Sequence, residues 1–331
     1  MDPLTHIVVG RAVVAAFDGD GPAARGVAAA AILGALAPDI DIGVALFGWD
    51  RYLRVHEVGT HSLAGALATA GLMAAGVRFA TRRGSLEPPR RTGIGTPYAL
   101  LAATAAGAIS HLGLDLVSGA RIRVGWPFVQ QRVSLPLVAM ADPWLIGICV
   151  AGLLAFWPGG TRLRTVARAI LVAATAFLAF KGALLHHALR MSPLATTAFP
   201  AVEAQWGSLT NWSVFEHTST AVRAWAVNSR DRPAVVWLSE SISPDTPLVK
   251  ASRSLGTVHN FLSVHEFSFP IESGSGDGRT EVLWSDLRYC WREGDGSTSC
   301  GVWAGGTFGP DGRVLTQVVK IGAVVQTRPV P

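Results

Sequence analysis

Two rhythms of hydrophobic and polar residues divide the chain. Up to about residue 194, long apolar runs are separated by short polar loops; from about Thr196 onward, apolar and polar residues alternate almost one by one. Thr60–Val77, Thr92–Leu114 and Pro143–Thr161 contain no Asp, Glu, Lys or Arg, and Ala169–Leu189 contains only Lys181. A helix needs about 20 mostly apolar residues to cross a bilayer, so these four runs are the expected spans. Two shorter runs, Leu4–Phe17 and Gly26–Pro38, flank the turn signal Asp18-Gly-Asp-Gly-Pro22 and predict a helical hairpin. Beyond Thr196, Ala221–Val227, Ala234–Leu238, Thr257–Phe269, Glu281–Trp291 and Val314–Val325 carry the period of two that predicts strands. The fold expected is a membrane all-α bundle of four to six helical segments over residues 1–194, which also carries the candidate site, followed by a soluble, mainly β domain over residues 195–331.

Composition supports that division. Half of the 331 residues are hydrophobic and 15% are charged, against roughly a quarter charged in soluble domains; disorder is excluded. The net charge of +5 is uneven: residues 1–194 carry 17 basic and 10 acidic groups, residues 195–331 carry 11 and 13. Arginines between apolar runs suit lipid headgroups better than nucleic acid, so no nucleic-acid partner is expected. The N-terminal Met1-Asp-Pro-Leu-Thr-His6 lacks the basic region and cleavage site of a secretory signal. If six segments alternate across the membrane, Arg82, Arg83, Arg90, Arg91, Arg162, Arg164 and Arg168 fall on the more basic face, expected to be cytoplasmic. The β domain is then extracytoplasmic, where Cys290 and Cys300 can bridge. Trp144 and Trp157 bracket one span, with Trp49 and Trp126 in loops of the opposite face, as interfacial aromatics do.

The polar residues of the first part are the chemical signal. His6 opens segment one, Pro38-Asp39-Ile-Asp41 ends segment two, and His56-Glu57…His61-Ser62 opens segment three. His111-Leu-Gly-Leu-Asp115 ends segment four and Asp142-Pro-Trp144 opens segment five, so alternation gathers all of them on one membrane face. Ionisable groups at membrane depth are costly and are paired, hydrated or metal-bound. Imidazole with carboxylate is the ligand set of zinc, manganese or iron. His111 and Asp115, four apart, share a helix face and can share a metal. His56 and His61, five apart, do not; His56 is expected in the preceding loop and His61 in the first helical turn, with Gly59 or Thr60 near the cap. An extended conformation would point Asp39 and Asp41 the same way. Glu57 reads either as a loop charge or as a support to the cluster, and Asp142 either as a helix cap or as a general base. Structural readings suffice elsewhere: His186 and His187 are interfacial, Lys181 snorkels, Cys149 is a small buried hydrophobe, and Gly274–Gly278 is a turn without the Lys-Ser/Thr ending of a phosphate loop.

In their order, Met1-Asp-Pro-Leu-Thr-His6, Leu-Gly-Ala-Leu-Ala-Pro38-Asp39-Ile-Asp41, His56…Thr60-His61-Ser62, His111-Leu-Gly-Leu-Asp115 and Asp142-Pro-Trp144 resemble the motif series of the YdjM-like, LexA-regulated bacterial inner-membrane metal-dependent hydrolases. The resemblance covers about residues 1–190; the β domain looks like an extension found in some such proteins. The pattern is also similar to that of zinc-dependent phospholipases C, although no His-x-x-x-Glu partner is present and a trinuclear cluster is therefore not implied. The resemblance implies an inner-membrane enzyme acting on a phosphoester or lipid-related substrate. The expected metal ligands are His6, Asp39, His56, His61, His111 and Asp115, holding a divalent ion, zinc foremost with manganese or iron as alternatives, and Asp41 or Asp142 is the expected base. Two other classes remain: a membrane protein that binds or transports a divalent metal without hydrolysis, and a silent anchor that presents the β domain.

Overall fold

A computed structural model describes residues 1–17, 25–56, 58–84, 96–156, 163–190, 201–230, 233–242, 246–274 and 277–329. The turn at 18–22, Glu57, Arg90, Arg91, Trp157 and Arg162 lie outside the described residues. The helices are α1 (Pro3–Ala15), α2 (Arg25–Leu36), α3 (Trp49–Val55), α4 (Leu63–Arg82), α5 (Thr96–Val117), α6 (Pro143–Phe156), α7 (Leu163–Arg190), α8 (Pro247–Ser252) and α9 (Gly256–Leu262). The strands are β1 (Ala201–Ala204), β2 (Asn211–His217), β3 (Ala221–Asn228), β4 (Val235–Ser241), β5 (Ser268–Gly274), β6 (Thr280–Asp286), β7 (Cys290–Arg292), β8 (Thr298–Cys300), β9 (Val302–Phe308), β10 (Val314–Ile321) and β11 (Val324–Pro329). A helical N-terminal region is thus followed by antiparallel sheets, as the change of rhythm predicts.

The chain forms two compact units, and they cut the sequence in an interleaved way. The first holds Met1–Ile40, Glu57–His187 and Glu203–Asn211; the second holds Asp41–His56, Ala188–Val202 and Trp212–Pro331.

Within the first unit, three helices among the described residues are long and apolar enough to cross a membrane: Leu63–Arg82, Pro97–Val117 and Leu163–Arg190. A fourth crossing is available if α2 and the 3-10 helix Pro38–Phe47, bent by 54°, act as one broken span. Pro38 explains the break, because proline removes a backbone donor and disfavours helix in the residue before it. Of the span expected over Pro143–Thr161, the described part is the 14-residue α6; residues 157–161 lie outside the described residues. Helices α2 and α5 approach at glycine: a Cβ at Gly34 would strike the Thr104 carbonyl, and one at Gly107 the Ala31 carbonyl. A Cβ at Gly10 would likewise meet Ala35, so small residues bring α1, α2 and α5 together. Around this seam Val27, Ala30, Val77, Leu100 and Ala103 form one buried cluster, with Ala66, Ala70, Ala108, Leu112, Ala120 and Ile122 forming another.

Lys181 departs from expectation. It does not snorkel: the side chain is fully buried, and Nζ donates to the carbonyls of Ser208 at 2.8 Å and Leu209 at 3.4 Å. The segment 203–211 returns to the helical unit and supplies those acceptors; Trp144 Nε1 donates to Gly207 there as well, at 3.1 Å. Nothing in the local sequence near Lys181 announces a partner some 27 residues away.

The second unit holds a four-stranded sheet, β1-β2-β3-β4, and a five-stranded sheet, β11-β10-β9-β6-β5. Phe215, Val222, Ala224 and Leu238 of the first sheet share a core with Phe267, Phe269 and Leu287. On the other face of the five-stranded sheet, Val282, Trp284 and Ala304 pack beneath Val249, Val258 and Phe261 of α8 and α9, with Trp49 and Leu53 of α3 against the same cluster. Polar contacts fasten α3 as well: Arg328 pairs with Asp50 at 3.3 Å, and Asn260 donates to Asp50 at 2.9 Å. The strand expected over Thr257–Phe269 is mostly α9, with β5 starting at Ser268. Its buried residues Thr257, Val258, Phe261 and His265 fall at helical spacing, which the alternation of polar types had masked. Cys290 and Cys300 face each other across β7 and β8 and form a disulfide.

Candidate metal centre

Each histidine and carboxylate of the cluster owes its place to a helix end. Asp2 caps α1, its Oδ1 accepting from Thr5 N at 2.9 Å and its Oδ2 from Thr5 Oγ1 at 2.7 Å. Pro3 starts the helix with a fixed φ, and His6 is left facing inward, buried. Asp2 N also donates to the Met140 carbonyl at 3.0 Å, which ties the start of α1 to the loop before α6. Asp39 sits in the 3-10 helix just past α2. His61 directly precedes the cap of α4, which is Ser62: its Oγ accepts from Gly65 N at 3.0 Å. The expected cap at Gly59 or Thr60, with His61 inside the first turn, is therefore displaced by up to three residues. His111 and Asp115 occupy the last two turns of α5.

Five side chains of the first unit converge. Asp115 Oδ2 lies 2.9 Å from His111 Nε2 and 3.4 Å from His61 Nε2. Its Oδ1 lies 3.3 Å from His6 Nε2 and 2.6 Å from the Met1 amino group. Asp39 Oδ1 faces His61 Nε2 at 3.3 Å and His111 Nε2 at 3.6 Å. The two histidine Nε2 atoms are themselves 3.3 Å apart. His6 stacks on the His111 ring with centroids 3.8 Å apart, and its Nδ1 and Nε2 make no hydrogen bond; the Nε2–Asp115 approach has ion-pair distance without hydrogen-bond angles. His6, His61, His111 and Asp115 are buried, whereas the Asp39 side chain is 38% exposed and marks the open side.

The protonation pattern follows from one bond. His111 Nδ1 donates to the Ala35 carbonyl at 2.7 Å. A carbonyl only accepts, so Nδ1 carries the proton and neutral His111 presents a bare Nε2 lone pair to the cluster. His61 Nδ1 is hydrogen-bonded to Thr60 Oγ1 at 3.1 Å, a hydroxyl able to donate or accept. The His111 Nε2 lone pair then faces the oxygens of Asp115 and Asp39 across 2.9 and 3.6 Å, an arrangement of acceptors that suits a cation. From residues of the first unit alone, two ligand triads form, His6–His111–Asp115 and Asp39–His61–His111, each with its donor atoms within 4.8 Å of one another. The donor set fits a borderline divalent ion such as zinc, manganese or iron. The hydrogen bonds behind the ligands, from His111 to Ala35 and between His61 and Thr60, are of the kind that hold metal-ligating imidazoles.

The remaining predicted residues take up the following contacts. Asp41 and His56 belong to the second unit and pair with each other, His56 Nδ1 lying 3.0 and 3.2 Å from the two carboxylate oxygens, with Tyr52 stacked on the imidazole. Asp39 and Asp41 lie in a 3-10 helix and not in the extended conformation expected. In a 3-10 helix residues two apart lie about 240° around the axis, not on the common face that a strand would provide. Asp142 is fully buried and caps α6, Oδ1 accepting from Trp144 N at 3.0 Å and Leu145 N at 3.1 Å; it stands outside both ligand triads. Glu57 lies outside the described residues. The Ala35 carbonyl, which sets the His111 tautomer, had no signal in the sequence, since any residue supplies a carbonyl.

Among curated proteins and among solved structures, no match is found for this chain. The model of the YdjM inner membrane protein family matches residues 1–188, which include every residue of the five-membered cluster. With more than half of its length matched, and with apolar helices whose ends carry the clustered histidines and carboxylates, the chain belongs to the YdjM inner membrane protein family.

Proposed function

We propose that this membrane protein is a metal-dependent hydrolase acting on a phosphoester or lipid-related substrate. The observation that carries the reading is the convergence of His6, Asp39, His61, His111 and Asp115 as acceptors, with the His111 tautomer set by Ala35. These five residues would hold the ion. A divalent ion so held supplies Lewis acidity, bringing the pKa of water from about 15.7 towards about 7 and polarising the oxygen of an ester. The chain's own residues do the rest. Asp115 sits between three histidines and keeps their rings oriented. Burial of the four inner ligands keeps bulk water from competing with them, so an ester enters from the side of Asp39. Asp39, the one carboxylate of the cluster open to solvent, can pass a proton outward.

The site and the β domain are assigned to the extracytoplasmic face. The Cys290–Cys300 disulfide supports this, since such bonds persist in oxidising compartments, and so does the basic bias of the loops on the other face.

The test is metal content by mass spectrometry on detergent-purified full chain, beside His61→Ala and His111→Ala, with phosphoester and phospholipid substrates assayed on the same samples. Stoichiometric zinc, manganese or iron is expected in the wild type and is lost in both variants, along with chelator-sensitive turnover. A wild type that takes up no metal even on reconstitution would sink the reading. Full metal binding without turnover on any ester would favour a metal-binding or transport protein instead.

A further inference from the structure

The loop joining α5 to α6 has a construction that the metal centre does not require. It begins at Ser118, one residue past the end of an apolar spanning helix, and folds back as a hairpin. Ile122 and Val133 form a β-bridge, and Leu135 N and Leu137 N donate to the carbonyls of Leu116 and Val117 at 2.8 and 2.9 Å. Its inner side is core: Ile122 is fully buried, Val124 packs on the same cluster, and Leu63 N donates to the Val124 carbonyl at 2.9 Å, two residues after His61. The tip is the reverse of what water favours. After the turn at Gly125, Phe128 is 90% exposed and Val129 52% exposed, beside the partly buried Trp126. From Ser118 to Ala141 there is no acidic residue, while Arg121, Arg123 and Arg132 flank the tip.

An apolar tip ringed by arginines, starting where a spanning helix ends, matches the boundary between acyl chains and anionic headgroups. We propose that this hairpin inserts into the leaflet on the side of the metal centre, with Trp126, Phe128 and Val129 among acyl chains and Arg121, Arg123 and Arg132 on the phosphates of anionic phospholipids. The hairpin is hydrogen-bonded to the start of the helix that follows His61 and begins three residues after Asp115, so the lipids it gathers stand beside the helix ends that carry the cluster. Taken with the hydrolase reading, on which this last step rests, the substrate class becomes an anionic phospholipid rather than a water-soluble phosphoester.

The experiment places an environment-sensitive fluorophore at Phe128→Cys in a Cys149→Ser background, in full-length protein reconstituted into vesicles. One vesicle set contains phosphatidylglycerol with phosphatidylethanolamine, the other phosphatidylcholine alone. A second probe at Asp311→Cys, in an exposed turn between β9 and β10, reports a water-facing position. The probe at 128 is expected to be quenched by spin-labelled acyl chains and shielded from aqueous iodide, with the reverse at 311. Replacing Arg121, Arg123 and Arg132 by Gln should reduce acyl-chain quenching in the anionic vesicles to the level seen in phosphatidylcholine. Iodide quenching at 128 equal to that at 311 in both vesicle sets would overturn the proposal and leave the tip to a protein partner. Insertion that is indifferent to the arginine replacements would overturn the headgroup assignment. Metal content, measured on the same samples, reads the cluster alone, so a failed metal centre and a failed hairpin are told apart.

Discussion

Asp286 shows how a single buried charge is kept in the β-rich unit. Its side chain is fully buried, and burial by itself would raise its pKa; the Arg288 guanidinium, donating from Nε at 3.0 Å and Nη2 at 2.7 Å, outweighs that and holds the carboxyl below its ordinary value. A carboxyl whose folded pKa is depressed contributes stability that is fully present above the unfolded value of about 3.9 and is lost as pH falls through the lower folded value. Acid titration of the wild type should therefore show a loss of thermal stability setting in below about pH 4 that is diminished in Asp286→Asn. Asp286→Ala removes the carboxylate to which Arg288, only 9% exposed, is paired, and should destabilise the fold by about 3–5 kcal/mol. Thermal denaturation of the full chain in detergent measures both. The same residue-level logic made part of the metal cluster legible: His111 and Asp115 meet because four positions on a helix return to one face. It failed for Asp39 and Asp41, where the backbone is 3-10 and not extended.

At the scale of elements, the cluster depends on how closely three helices approach. His111 lies one turn beyond Gly107, and the carbonyl that orients it belongs to Ala35, next to Gly34. The glycine seam therefore sets the distance across which that bond is made. Gly107→Val should push α5 away from α2, at a cost of about 1–3 kcal/mol for overpacking, and deplete bound metal although no ligand has changed. Gly71→Ala in α4 has open space around its Cβ and should leave metal content unchanged, with stability equal or slightly higher. Mass-spectrometric metal content beside melting temperature separates the two cases. Helix existence was readable from apolar runs, but the break at Pro38 was not, because hydropathy counts residues and ignores where a proline ends the helix.

For the whole molecule, the chain's order and its compact units disagree. Residues 41–56, placed between helices in the sequence, fold with the β-rich unit, and residues 203–211, placed among the strands, fold with the helices. Lys181 is the clearest residue-level trace of this, its ammonium satisfied by carbonyls of the returning segment. The disulfide provides a test of compartment. Protein extracted from cells under thiol-blocking conditions and then denatured should accept a maleimide-polyethylene glycol tag only at Cys149, and at all three cysteines after reduction. Three tags without reduction would place the β-rich unit in a reducing compartment and reverse the proposed orientation.

The sequence by itself determined the helical region, the strand-rich region, the candidate ligand types and the helix ends at which they stand. Hydrophobic period and charge placement are local properties, and alternating short-loop helices bring their ends to a common side without further information. Tertiary structure decided which ligands share an atom-scale centre, that Asp41 and His56 pair with each other, that Asp142 caps a helix, and that Lys181 is buried. Those outcomes turn on backbone carbonyls, glycine contacts and returning segments, which act between residues far apart in the chain and leave no periodic mark along it.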